Sequence, residues 1–304
     1  MVLGLAAAVA LAVSAWWPAA WSAGRADAAG HVVAVGAENQ YADVIAQIGG
    51  GQVTVSAVMS NPNTDPHTFE ADPRMAQLLG SAQLVVQNGL GYDTFMTTIE
   101  AASPDAGRKV VDVQRLLELP GSTPNPHLWY TPATMPEVAK AVAADLTALD
   151  PGNRALFRQN LTRFDRSLGA WTQAMAALRA VAGGAPVATT EPVADDLLTA
   201  VGVRNLTPVS FQADVMNGID PSPQDVATVQ RLLTGGKVKA LVYNRQVTDT
   251  LTESLLTLAK QHHVPVVGVY ETMPTPGYHY QSWMQAEVRA LRSALTAGTS
   301  SPTL

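Results

Sequence analysis

Between Asp150-Pro151 and Gly183-Gly184 the chain runs GNRALFRQNLTRFDRSLGAWTQAMAALRAVA with no helix-ending signal. Asp150 supplies an N-cap and Pro151 fits the first helical position, so the stretch reads as one helix of about 30 residues, on the order of 45 Å long. Leu156, Leu161, Phe164, Leu168, Trp171 and Met175 recur at spacings of three to five, which makes a continuous apolar stripe along it. A rod of that length spans a small domain. In a chain of 304 residues it separates two halves and acts as a rigid connector, unlike a flexible strand hinge.

Both halves alternate strand and helix patterns. HVVAVGAENQYADVIAQIGG reads as a buried strand, a turn and an amphipathic helix, followed by strands at VTVSAVMS, QLVVQNG and KVVDV and by a helix from Thr131-Pro132. The second half repeats the pattern with strands at PVATT, VKALVYN and VPVVGVYE, each followed by a helical segment. Such alternation predicts an α/β protein of two lobes, each with parallel-sheet βαβ units, joined by one long central helix. The expected boundaries are 31–149 and 185–297 for the lobes, 150–182 for the connecting helix and 298–304 for a frayed tail. Residues 1–28 begin with an uncharged stretch rich in Ala, Val, Leu and Trp. They read as a signal peptide or a retained N-terminal anchor, and so as export.

Composition narrows the chemistry. With 47% hydrophobic and 14% charged residues the chain is globular, and a net charge of −6 with a pI near 5.5 offers no basic face for nucleic acid. There is no cysteine, which excludes disulfides, thiolate metal sites and thiol catalysis and leaves His, Asp and Glu as the strong metal ligands.

Four such residues each lie beside a sharp turn: His67 in NPNTDPHTFE, His127 in NPHLWY, Glu191 in TTEPV and Glu271 in VYETMP. Each also has an ordinary reading. A loop histidine is commonly a solvated surface group, Glu191 suits a helix N-terminus, and Glu271 suits the surface after a buried strand. Two come from each half, so a cleft between the lobes is positioned to gather all four. Two neutral imidazoles and two carboxylates balance the charge of a divalent cation, and a shell complete in protein ligands favours holding an ion over activating water on it. His279, in a Gly/Tyr loop near Glu271, is a candidate gate residue.

The order DPHTFE, NGLGYD, NPHLWY, long helix, TEP, MNG with PSPQD, and YETMP before a Tyr-Gln-Ser-Trp segment resembles the substrate-binding proteins of zinc and manganese ABC importers, over residues 31–297. The resemblance implies a metal site in the interlobe cleft formed by His67, His127, Glu191 and Glu271, with Zn2+ or Mn2+ as cargo. Glutamate at the third position is more typical of the manganese binders, whereas histidine there goes with zinc. TTEPVADDLL departs from the aromatic-containing segment that often follows the third ligand in that family. The implied role is an extracytoplasmic receptor, monomeric and not an enzyme, located in the periplasm or at the outer face of the cytoplasmic membrane. It would deliver metal to a membrane permease driven by a cytoplasmic ATPase, without a catalytic cofactor. A secreted metal-dependent hydrolase and a metal-binding surface adhesin are the alternatives. No HExxH, GxSxG or paired-carboxylate signature favours the first, and nothing marks an adhesive surface for the second.

Overall fold

The computed structural model describes residues 30–64, 66–70, 72–274 and 276–304, so the leader expectation for 1–28 lies outside the described residues. The first half forms β1 (Val32–Glu38), α1 (Asn39–Gly49), β2 (Val53–Met59), α2 (Pro73–Ser81), β3 (Leu84–Gln87), α3 (Thr94–Ala102), β4 (Lys109–Asp112), the single turn α4 (Val113–Leu116) and α5 (Thr134–Leu149). Helices α6 (Arg154–Ser167) and α7 (Gly169–Ala182) follow. The second half contains β5 (Pro186–Thr189), α8 (Asp195–Ala200), β6 (Arg204–Asn205), α9 (Val209–Met216), α10 (Pro223–Thr234), β7 (Leu241–Asn244), α11 (Thr250–Gln261), β8 (Val266–Val269) and α12 (Tyr280–Ala297).

Both sheets are parallel throughout and share one permutation, β2-β1-β3-β4 in the first lobe and β6-β5-β7-β8 in the second. The strand order reverses beside β1 and again beside β5, which opens a crevice at the carboxyl ends of the strands in each lobe. Strand residues alternate between two apolar layers, as the period of two requires. Val35, Ala37 and Val85 enter a cluster confined to the first lobe, and Ala188, Leu241 and Tyr243 enter one confined to the second. The opposite faces, with Ala34, Leu84, Val187, Val242 and Val267, join a single cluster that continues through Trp129, Trp171 and Trp283 across both lobes. The lobes therefore share a core.

The connector is one long helix bent at Leu168. Gly169 lacks a side chain to stiffen the turn, and the Ser167 and Thr172 hydroxyls bond back to the Phe164 and Leu168 carbonyls, two recognised causes of bending. Its buried stripe is Phe157, Phe164, Leu168, Trp171, Met175 and Leu178. Leu156 lies one position off that face. Asn160 sits within the stripe because its amide donates to the Ile48 carbonyl at the end of α1 (2.8 Å). The tail is docked, in contrast to the frayed end expected: Ser301 donates to the Val266 carbonyl and accepts from Gly268, extending the sheet beyond β8. Helix α3 was not anticipated because TFMTTIEAA carries three threonines of low helical propensity, and burial of Met96 and Ile99 overrides that preference. Among the described residues no helix is long and apolar enough to cross a membrane.

Candidate metal site

Three of the candidate side chains are delivered by loops that directly follow a strand, and His127 by the loop after α4. His67 lies in the 3-10 turn Pro66–Thr68 after β2, and His127 precedes the 3-10 turn Leu128–Tyr130 beyond β4. Glu191 and Glu271 come two residues after β5 and β8. The structure brings His67, His127 and Glu271 together, with donor atoms all within 4.8 Å of one another. His127 Nε2 is 3.0 Å and His67 Nε2 3.4 Å from Glu271 Oε2, and Glu191 Oε2 stands at the margin, 3.9 Å from His67 Nε2. Two donors about 2.0–2.1 Å from a tetrahedral ion would be about 3.3–3.4 Å apart, so the observed separations bracket the edge of such a shell.

The hydrogen bonds set the state of the donors. His127 is fully buried and its Nδ1 lies 2.7 Å from Asn125 Oδ1, an acceptor, so Nδ1 carries a proton and Nε2 is the nitrogen turned toward Glu271. At 3.0 Å from the Glu271 carboxylate, Nε2 either donates a proton to it or shares a metal ion with it. Burial alone would raise the Glu271 carboxyl, but His127 and then His67 beside it outweigh that and hold it well below the usual range. Glu271 Oε1 accepts from Asn244 Nδ2 (2.7 Å) and Oε2 from the Tyr92 hydroxyl (3.0 Å). Burial, reinforced by Glu271, pushes the Tyr92 phenol up, so it remains a donor.

Tyr92 reaches this position through a left-handed turn. Gly89, Leu90 and Gly91 have φ of 79°, 55° and 78° in succession. Leu90, unlike its glycine neighbours, is strained there, and such strain is characteristic of functional loops. Tyr92, His127 and Trp129 pack edge-to-face with centroids 5.1–5.7 Å apart, forming an aromatic wall beside the donors. A cleft of about 130 Å³, lined in part by His67, Leu90, Tyr92, Thr123, Met216 and Asn217, opens over His67. The His67 side chain is 25% exposed, whereas the Glu191 and Glu271 side chains are fully enclosed. His279 is not at this mouth. It immediately precedes α12, its side chain 71% exposed and its Nδ1 2.7 Å from Asp43 Oδ1 of the first lobe.

Residues 35–294 match the family described as zinc-uptake complex component A, periplasmic. The chain belongs to this family. The zinc-binding protein TroA of Treponema pallidum is 30% identical over 134 residues, a stretch spanning 42% of each chain and hence less than half of that relative. The metal ABC transporter substrate-binding lipoprotein FimA of Streptococcus parasanguinis is 22% identical over 253 residues, 79% of each chain. Among solved structures, ZnuA superposes with a TM-score of 0.71 at 21% identity, covering 88% of this chain and 100% of its own. FpvC from Pseudomonas aeruginosa in complex with Mn2+ gives 0.71 at 20%, covering 88% and 98%. At these identities the structural likeness is one of fold. Family membership makes the protein an exported metal-binding protein of the ABC-importer solute-binding family, a carrier without a catalytic step.

The residues that sequence reading passed over are Asn125, Asn244 and Gln246, together with the role of Tyr92. Asn125 orients His127 and also donates to the Pro192 carbonyl of the other lobe (3.1 Å). Its place two residues before His127 was the one available signal. VYNRQ, which carries Asn244 and Gln246, has no signal, because these residues act on partners distant in sequence.

Proposed function

We propose that His67, His127, Glu191 and Glu271 together bind one divalent transition-metal ion, Zn2+ or Mn2+, which the protein delivers to a membrane permease powered by a cytoplasmic ATPase. The observation that carries this reading is the set of donor separations, 3.0, 3.4 and 3.9 Å, among imidazole and carboxylate groups drawn from opposite lobes. Two carboxylates and two neutral imidazoles neutralise the ion within the shell, which suits capture and transfer. Competition titration of metal-stripped protein tests the reading. One equivalent of ion should bind, and His127→Ala and Glu191→Ala should each weaken binding of both Zn2+ and Mn2+. Unchanged affinity in either variant removes that residue from the shell, and failure of the wild type to bind either ion refutes the site. Metal content of protein isolated from its native envelope without added metal identifies the cargo, since Zn2+ outcompetes Mn2+ at most nitrogen and oxygen sites in vitro.

A further inference from the structure

We infer that Asn244 restricts Glu271 to a single metal-binding oxygen and thereby helps set which ion the site prefers; the inference rests on Glu271 being a ligand. Asn244 ends β7, the strand between β5 and β8, and is 1% exposed. Its Oδ1 accepts the Gln246 backbone N–H (3.0 Å), which fixes the orientation of the amide and turns Nδ2 toward Glu271 Oε1 (2.7 Å). Its own backbone N–H donates to Thr190 Oγ1 (3.0 Å), beside Glu191.

Gln246 completes the restraint. Its Oε1 accepts from the backbone N–H groups of Glu271 (2.6 Å) and Thr272 (2.7 Å), while its Nε2 donates to the Thr64 carbonyl of the opposite lobe (2.9 Å), three residues before His67. With its backbone held by Gln246 and Oε1 held by Asn244, Glu271 presents only Oε2 to the imidazoles. Oε2 accepts from the Tyr92 hydroxyl and keeps its other lone pair for the ion, whereas chelation through both oxygens would swing Oε1 out of line with the buried Asn244 amide and weaken that bond, a cost that opposes it. A shell with one oxygen from Glu271 has a low coordination number. Zn2+ accepts four donors readily, whereas Mn2+ favours octahedral, oxygen-rich surroundings. Asn244 is therefore a positioning residue that biases the site toward the ion content with fewer ligands.

The test uses full-length, metal-stripped wild type, Asn244→Leu and Gln246→Leu, each titrated with Zn2+ and Mn2+ and loaded with Co2+ for its visible spectrum. Asn244→Leu frees Oε1, so the Mn2+ to Zn2+ affinity ratio should rise by about tenfold, within the range by which groups supporting metal ligands tune affinity. Its Co2+ absorption should weaken as the coordination number increases. Gln246→Leu disturbs the same cluster without freeing Oε1 and should lower both affinities by similar factors. X-ray absorption of Zn2+-loaded wild type gives a readout independent of the variants' folding: about four nitrogen or oxygen donors near 2.0–2.1 Å support the inference, and five or six refute it. An unchanged ratio and Co2+ spectrum in folded Asn244→Leu overturns the role of Asn244 while leaving the ligand assignment intact. A wild type that binds neither ion overturns the assignment and this inference with it.

Discussion

Glu287 gives the protein a pH-dependent stability that one substitution should abolish. The side chain lies in α12 and is completely buried, and its Oε1 accepts from the Tyr130 hydroxyl and from Trp283 Nε1, both at 2.9 Å. Burial pushes its carboxyl from the ordinary 4.5 up to about 8, although the two donors pull the other way. Below 4.5 the group is protonated in both the folded and the unfolded chain, so its stabilising effect is fully present. Between 4.5 and about 8 the unfolded chain releases the proton and the folded protein keeps it, so stability falls as pH rises. At about 1.4 kcal/mol per pH unit, that interval corresponds to a loss of about 5 kcal/mol as an upper bound. Glu287→Gln keeps an acceptor for both donors and removes the titration. Urea unfolding of both metal-free proteins at about pH 5, 6.5 and 8 should show Glu287→Gln gaining on wild type by several kcal/mol across the series. Asp93, pushed up to about 6, and Glu38, also raised by burial, are present in both proteins and cancel in the comparison. A stability difference that is constant with pH, or that shrinks as pH rises, would refute the reasoning.

Asn125→Ala removes the acceptor that fixes the His127 tautomer and one contact to the second lobe, and should lower affinity for both ions by about 10–100-fold in competition titrations. Metal should stabilise the native protein by about 2.7 kcal/mol at a free concentration a hundredfold above the dissociation constant, seen as a raised unfolding midpoint at pH near 7.5. A midpoint indifferent to Zn2+ and Mn2+ would contradict the metal site. Glu191→His exchanges a hard oxygen for a neutral nitrogen and should lose much more Mn2+ than Zn2+ affinity; equal losses would show that Glu191 does not tune selectivity.

The fold was legible because its signals are local. Val32, Val85, Val187 and Val267 lie in short apolar runs bounded by turns, and strands alternating with helices leave little choice but parallel sheet. The bend at Leu168 was obscured because Gly169 lies inside an otherwise unbroken apolar stripe, and periodicity does not report where a helix changes direction. His67, His127, Glu191 and Glu271 stood out because few residue types bind metal and each sits beside proline or a strand end. Asn244 and Gln246 did not, since an amide's importance lies in what it faces. Their partners, Glu271 and Thr64, are 27 and 182 residues away. The docking of the tail is silent in the sequence for a related reason, because small polar residues at a terminus carry no sign of the strand edge that receives them.

The distribution of ties between the lobes indicates where the proposed site exchanges its ion. Asn39 exchanges two hydrogen bonds with Met273 (2.8 and 2.9 Å), Gln40 Nε2 donates to the Glu271 carbonyl (3.1 Å), the Tyr130 hydroxyl to that of Tyr270 (2.8 Å), and Tyr280 to that of Trp129 (2.7 Å). At about 0.5–1.5 kcal/mol net for each bond, opening the lobes would forfeit several kcal/mol before the shared apolar cluster is counted. That burden falls on the segments bearing His127 and Glu271, both fully buried. The His67 loop is different. Among the described residues Gln246 holds its Thr64 carbonyl to the second lobe, and the His67 side chain is already partly exposed at the cleft. A shift of that loop would leave the buried bonds between the lobes in place, so the protein's rigidity and its need to release cargo are compatible if His67 is the ligand that leaves first.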